Sequence, residues 1–121
     1  MEHPSNTSEV LQALRFILQL DPVLSVSTLT ALFYIAAHPD CAAADLVRDL
    51  KMAQAAVTRH LQRLGEGSPG GSAAVGKGLG WVQWYSDSKD SRRRLYQLSA
   101  LGREVVQSVS AGVLPRRSLG S

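Results

Sequence analysis

The sequence predicts a mainly α, α+β fold: four helices, a two-stranded β-hairpin and a closing helix. Three observations carry this. Apolar residues recur at helical spacing through the first half. One short aromatic, β-branched segment, Trp81-Val82-Gln83-Trp84-Tyr85, is separated by a polar turn from a second strand-like run. A further helical stripe then closes the pattern. The chain has 121 residues, which suits one core rather than a large two-domain enzyme.

Residues 1–5 are expected to be a loose tail. Asn6 and Glu9 have capping-box spacing and so predict the start of the first helix. Val10, Leu11, Leu14, Ile17 and Leu18 form its apolar stripe. Asp21-Pro22 ends it, because the residue before proline avoids helical geometry. Residues 1–24 are therefore an N-terminal tail and helix, available for dimerisation. Ser25 or Ser27 caps a second helix with Leu29, Leu32, Phe33, Ile35 and Ala36 on its apolar face, stopping at His38-Pro39. A short third helix spans about 42–50, with Leu46, Val47 and Leu50 inward. A fourth runs over about 54–64, where Val57, Leu61 and Leu64 stand at i, i+4 and i+7.

Residues 65–80 hold seven glycines in sixteen positions and predict a flexible loop. Trp81 to Tyr85 and Arg92 to Leu98 are the two strands, with a polar turn over 86–91. Trp81, Trp84, Tyr85 and Tyr96 have two readings: core and hairpin packing is the expected role, and the alternative is that one strand face exposes its aromatics to a partner or to single-stranded bases. Ser99 caps a final helix carrying Leu101, Val105, Val106 and Val109, which Gly112 and Pro115 end. Residues 112–121 are expected to be a flexible tail. Two helices joined by a tight turn and followed by a hairpin describe a winged helix-turn-helix over residues 25–111, with a two-stranded wing.

Charge locates the function. Residues 1–50 carry Arg15 and Arg48 against six carboxylates, a net −4, whereas residues 51–121 carry eleven cations against four carboxylates, a net +7. That asymmetry points the second half at a polyanion. In helix-turn-helix proteins the second helix enters the major groove of double-stranded DNA. Its outward residues here are Gln54, Ala55, Thr58, Arg59, Gln62 and Arg63. Gln54 can pair with adenine, Arg59 with guanine or a phosphate, and Thr58 and Ala55 with a thymine methyl. The wing turn supplies Lys89, Arg92, Arg93 and Arg94, suited to phosphates or a narrow minor groove.

The wing resembles that of MarR-family transcriptional regulators. Gly80-Trp81-Val82 stands where that family has Gly-Leu-Val. Asp87 to Arg92 follows its Asp-x-x-Asp-x-Arg, and Leu98 to Gly102 its Leu-Thr-x-x-Gly, without a gap. Asp45-Leu46, Val57-Thr58-Arg59 and Leu61 to Leu64 are similar to its supporting and recognition helices. The resemblance covers about residues 29–106. It implies dimeric binding of duplex DNA, with Thr58 and Arg59 as contacts, Asp90 orienting the wing and Arg92 as the wing's main cation. Ala42 and Ala53 depart from the family by standing at cap positions. Trp81 and Trp84 replace its usual Leu and Arg, and the glycine-rich insert is atypical. The short C-terminal helix offers little wall for an effector pocket, so no small-molecule effector is expected.

Other chemistries fit less well. Residues 71–78 approach the phosphate-loop pattern, but Gly78 stands where a hydroxyl is required, and the flanking elements are in the wrong order. Cys41 is the one cysteine and lacks a basic neighbour, so a structural thiol is expected rather than a redox sensor. His38 and His60 lack ligand spacing, and no nucleophile triad stands out. His60 reads as a partly buried spacer or a phosphate donor. No metal, cofactor or enzymatic activity is expected. No apolar run is long enough to cross a bilayer, so a cytoplasmic protein with no membrane partner is expected. The competing reading is a winged-helix module that binds another regulator or a replication protein instead of DNA.

Overall fold

The computed structural model describes residues 5–66 and 78–113. Its elements are α1 (Ser5–Leu20), α2 (Val26–Ala37), α3 (Ala43–Leu50), α4 (Gln54–Leu64), β1 (Val82–Asp87), β2 (Asp90–Leu98) and α5 (Ala100–Val113). The element order matches the sequence expectation. Two compact units divide the chain: the described part of Met1–Leu24 with Glu104–Ser121, and Ser25–Arg103.

The second unit contains the helix-turn-helix and the hairpin. Ser25 stands in extended backbone ahead of α2, and its Oγ accepts the Thr28 amide at 3.0 Å, as an N-cap should. Thr28, Ala31, Leu32 and Ile35 form the buried side of α2. Leu29, Phe33 and Ala36, expected on that stripe, are only half-buried, so the buried face is rotated by about one residue. Leu46 is buried on α3, with Val47 and Leu50 half-buried. Val57, Leu61 and Leu64 are all buried on α4, as the spacing requires. α2 packs on α4 and β2, and α3 packs on α4 and β2.

The tight turn depends on Lys51, which closes α3 in left-handed backbone at φ 56°. Ala42 offers no side-chain acceptor to α3. The reverse half of a capping box survives, because the Asp45 carboxylate accepts the Ala42 amide at 2.9 Å. Ala53 likewise gives α4 no side-chain cap.

β1 and β2 pair antiparallel, with Trp84 opposite Tyr96 and Ser86 opposite Arg94. Beyond Ser86 the register breaks, and Asp87 pairs with Asp90. Ser91, Arg92 and Arg93 therefore sit in an interruption of the ladder, where a strand twists and re-aims its side chains. The hairpin's base is tied down on both sides. Asp40 donates its amide to the Tyr96 carbonyl and Tyr96 donates to the Cys41 carbonyl, each at 2.8 Å. Trp81 donates to the Leu64 carbonyl at 2.8 Å and accepts the Ser99 amide at 2.9 Å, joining the end of α4 to the start of α5. Gly102 makes that junction possible: a Cβ there would lie 1.9 Å from the Trp81 carbonyl oxygen. Ser99 caps α5, its Oγ accepting the Gly102 amide at 3.0 Å.

The structure corrects several expectations. α1 begins at Ser5, so Asn6 lies inside the helix rather than ahead of it. Gly112 does not end α5, which continues through it to Val113. The strands reach further into the turn than expected, leaving Ser88 and Lys89 between them, and β1 begins at Val82, so Trp81 precedes the strand it is expected to open. On α1, Ala13 and Ile17 are buried, but Val10, Leu11, Leu14 and Leu18 of the expected stripe are exposed. The core of the 65–80 loop and the 114–121 tail lie outside the described residues. The loop's described ends pair with residues at the close of α4: Gly80 donates to the Gly65 carbonyl at 2.9 Å and Leu79 to the Arg63 carbonyl at 2.8 Å.

Candidate nucleic-acid interface

The outward face of α4 is the complement of its core stripe. With Val57, Leu61 and Leu64 inward, helical geometry turns Gln54, Ala55, Thr58 and Arg59 to solvent, and all four are exposed. Gln62 and Arg63 are half-buried toward the C-terminal end. The first turns therefore present amide, methyl, hydroxyl and guanidinium groups together. In helix-turn-helix proteins that bind DNA, these first turns of the second helix are the part that meets base edges.

His60 stands apart from this face. Its Nδ1 lies 2.9 Å from Thr28 Oγ1, which in turn lies 2.9 Å from Ser25 Oγ. α4 is thus latched to the cap of α2 through the Thr28 and Ser25 hydroxyls. Burial, with Arg59 as a second cause, holds the His60 pKa below the ordinary imidazole value. Of the two sequence readings of His60, the buried spacer fits this geometry.

The wing carries its cations in two settings. Lys89, Arg92, Arg93 and Arg94 are all exposed. Asp90 Oδ1 accepts the Arg92 amide at 3.1 Å and lies 3.5 Å from its Nε. Arg93 Nη1 lies 3.7 Å from Asp87, whose other oxygen accepts the Lys89 amide at 3.0 Å. Asp87 and Asp90 thus fold the turn as well as pair with cations. Arg94 differs from both neighbours: its guanidinium carbon stands 4.0 Å from the centre of the Trp84 ring.

The aromatic cluster therefore divides. Trp81 and Tyr96 are buried, as the packing reading expects, but Trp84 and Tyr85 are exposed, as the alternative reading of an uncovered aromatic face has it. The layer of helices covers the base of the hairpin only, and β1 leaves it after Val82. Tyr85 donates its hydroxyl to Asp40, and that bond is the main reason its phenol pKa is raised.

A second polar group joins α2 to α3. Tyr34 donates to Asp49 at 2.6 Å, and Arg48 pairs with Asp49 at 2.8 Å and with Asp45 at 3.1 Å. These bonds hold the Asp49 carboxyl down at about 2 and, through Asp49, push the Tyr34 phenol up to about 12. His38 stacks on Tyr34 at 4.2 Å and donates Nδ1–H to its carbonyl. Cys41 is buried, and burial together with Asp45 pushes its thiol up to about 11. A thiol in that setting is a poor nucleophile.

A helix-turn-helix whose second helix is solvent-facing, followed by a two-stranded cationic hairpin tied to its base, defines a winged helix-turn-helix domain. The chain has the fold of MarR-family winged-helix regulators. Its solved structural neighbours include a mutant MarR from E. coli complexed with operator DNA, 19% identical with a TM-score of 0.63, covering 92% of this chain and 69% of that one. FabT from Streptococcus pneumoniae, in complex with DNA, is 17% identical with a TM-score of 0.59 over 73% of this chain and 53% of its own. A mutant MepR from S. aureus bound to an oligodeoxyribonucleotide is 19% identical, with a TM-score of 0.60 over 88% and 66%. The chain thus spans about half of the FabT chain and two thirds of the other two. No family model matches the chain, and no curated protein matches it. Among the described residues, no helix is long and apolar enough to cross a membrane.

Proposed function

We propose that this chain binds double-stranded DNA sequence-specifically, as a small homodimeric transcriptional regulator. The observation that carries the reading is the pairing of two surfaces on one compact unit. One is the exposed Gln54, Ala55, Thr58 and Arg59 face of α4; the other is a wing bearing Lys89, Arg92, Arg93 and Arg94. The reading helix supplies base-edge chemistry in the major groove, where Arg59 suits guanine and Gln54 suits adenine. Gln62 and Arg63, further along α4, belong at the edge of that contact. The wing supplies cations to the backbone or the minor groove, with Asp90 setting the path of the turn that displays Arg92. DNA complexes of the structural neighbours FabT, MarR and MepR support the assignment.

A homodimer is supported by α1. Val10, Leu14 and Leu18 stand at i, i+4 and i+8 with Leu11 beside them, and all four are exposed. An uncovered apolar stripe at helical spacing is what a second helix would bury.

The test is DNA selection at two salt concentrations beside a mass measurement in solution. A palindromic selected site and a dimer mass are expected, because a two-fold dimer reads two half-sites. Alanine at Arg59, Arg92 and Arg94 together should weaken binding and flatten the log–log salt slope by up to about 0.9 per lost phosphate contact. Unchanged affinity and slope in that triple variant would overturn the DNA reading in favour of a protein-binding winged helix.

A further inference from the structure

The wing's arginines are not equivalent. Arg92 and Arg93 lie where the β-ladder is interrupted, and each is engaged with a carboxylate, Asp90 or Asp87. Arg94 occupies the last regular position of β2 before that break, opposite Ser86. Trp84 is two residues along β1 from Ser86, so Trp84 and Arg94 are diagonal neighbours on one sheet face. The guanidinium carbon sits over the indole, 4.0 Å from its centre. Among the described residues Arg94 has no ion-pair partner. Trp84 itself keeps 46% of its surface exposed, although a tryptophan of this size would ordinarily be covered.

We infer that Trp84 is a positioning residue for duplex DNA recognition, holding Arg94 as the wing's pre-organised phosphate contact. The inference rests on the DNA reading above and deepens it. With its carbon over the ring, the guanidinium is held by the indole without engaging its N–H groups with a carboxylate, and those groups form the fork that matches a phosphate. Stacking also removes rotamer freedom before binding, so less is lost when the contact forms. Arg92 and Arg93, by contrast, must first give up a carboxylate. The uncovered part of the indole then lies beside the same contact and packs on deoxyribose. A residue that reads as hairpin packing in the sequence thereby becomes part of the interface.

The test uses the full chain and a fluorescein-labelled random-sequence duplex of about three helical turns, enough for two half-sites. Arg94→Ala should weaken binding and lower the salt slope by about 0.9. Trp84→Leu should weaken binding by about 2–5-fold, the effect of an exposed cation–π contact, while leaving the slope unchanged because no charge is lost. Trp84→Phe keeps an aromatic face and should recover most of that loss. Trp84→Leu should cost less in an Arg94→Ala background than in the wild type, where it also releases the guanidinium. Acrylamide quenching supplies a readout that does not depend on the leucine variant folding. Trp84 emission, taken as the difference between wild type and Trp84→Phe, should become shielded when duplex is added.

Additive losses in the double variant would overturn the inference. So would unshielded Trp84 emission in a wild-type chain that binds the duplex. Shielding by a labelled single strand in preference to the duplex would overturn it too, by assigning the indole to unpaired bases. Wild-type protein that binds no duplex at any salt concentration would instead remove the DNA reading beneath it.

Discussion

Gly102→Ala tests the junction that positions the wing. Glycine to alanine inside a helix ordinarily stabilises by about 1 kcal/mol, because alanine costs less backbone entropy. Here the sign should reverse. The added Cβ would lie 1.9 Å from the Trp81 carbonyl oxygen, 2.8 Å from its carbonyl carbon and 3.1 Å from its Cα. All three are backbone atoms, so no rotamer change relieves the overlap. Either α5 or the Trp81 segment must move. That segment is held by the Ser99 amide at 2.9 Å and by its own bond to the Leu64 carbonyl at 2.8 Å. Overpacking of this kind costs about 1–3 kcal/mol. Loss of one of the two hydrogen bonds adds about 1 kcal/mol. Set against the helix gain, the net destabilisation is roughly 1–3 kcal/mol. For a chain of this size that lowers Tm by roughly 4–12 °C. Urea denaturation followed by the emission of buried Trp81 measures it directly, with Ser108→Ala at an exposed position of α5 as the control expected to stabilise slightly. A Gly102→Ala chain as stable as wild type, or more so, would refute the close approach of α5 to Trp81.

Two further outcomes follow from the site. Since the folded state holds the His60 pKa below its unfolded value, the unfolded chain takes up this proton first as pH falls. Stability should therefore decline below about pH 6.5 and the decline should lessen in His60→Gln, measured by denaturant midpoints across that range. Ala53 precedes α4 in extended backbone with no side-chain acceptor, so Ala53→Ser should supply the missing cap. A gain of about 0.5–2 kcal/mol is expected, read as a higher Tm, and an unchanged Tm would mean that α4 begins elsewhere.

Legibility varies with how local each cause is. α4 is readable because Val57, Leu61 and Leu64 repeat at one helical period, and the extent of the helix follows from that repeat. Ser25 is readable as a cap because its bond to the Thr28 amide spans three residues. Trp84 misleads. Alternation assigns side chains to faces of a strand, but not how far along the strand the helix layer reaches. Val82 is covered and Trp84, two residues on, is not. His60 keeps two readings in the sequence, because the group that decides between them, Thr28, lies 32 positions away. The wing cations are visible as residues. Their difference is not, because it arises from a break in register between Ser86 and Asp87.

By itself, the sequence determined the order of elements, the buried stripe of α4 and the concentration of positive charge in the second half. Each depends on periodicity, capping or composition, which act over a few residues or over none in particular. The tertiary structure alone decided the rest. It placed Gly102 against the Trp81 carbonyl, turned His60 inward to Thr28, left Leu11, Leu14 and Leu18 uncovered and stacked Arg94 on Trp84. Those outcomes depend on which surfaces meet across the fold, and steric fit between distant segments leaves no periodic trace in either segment.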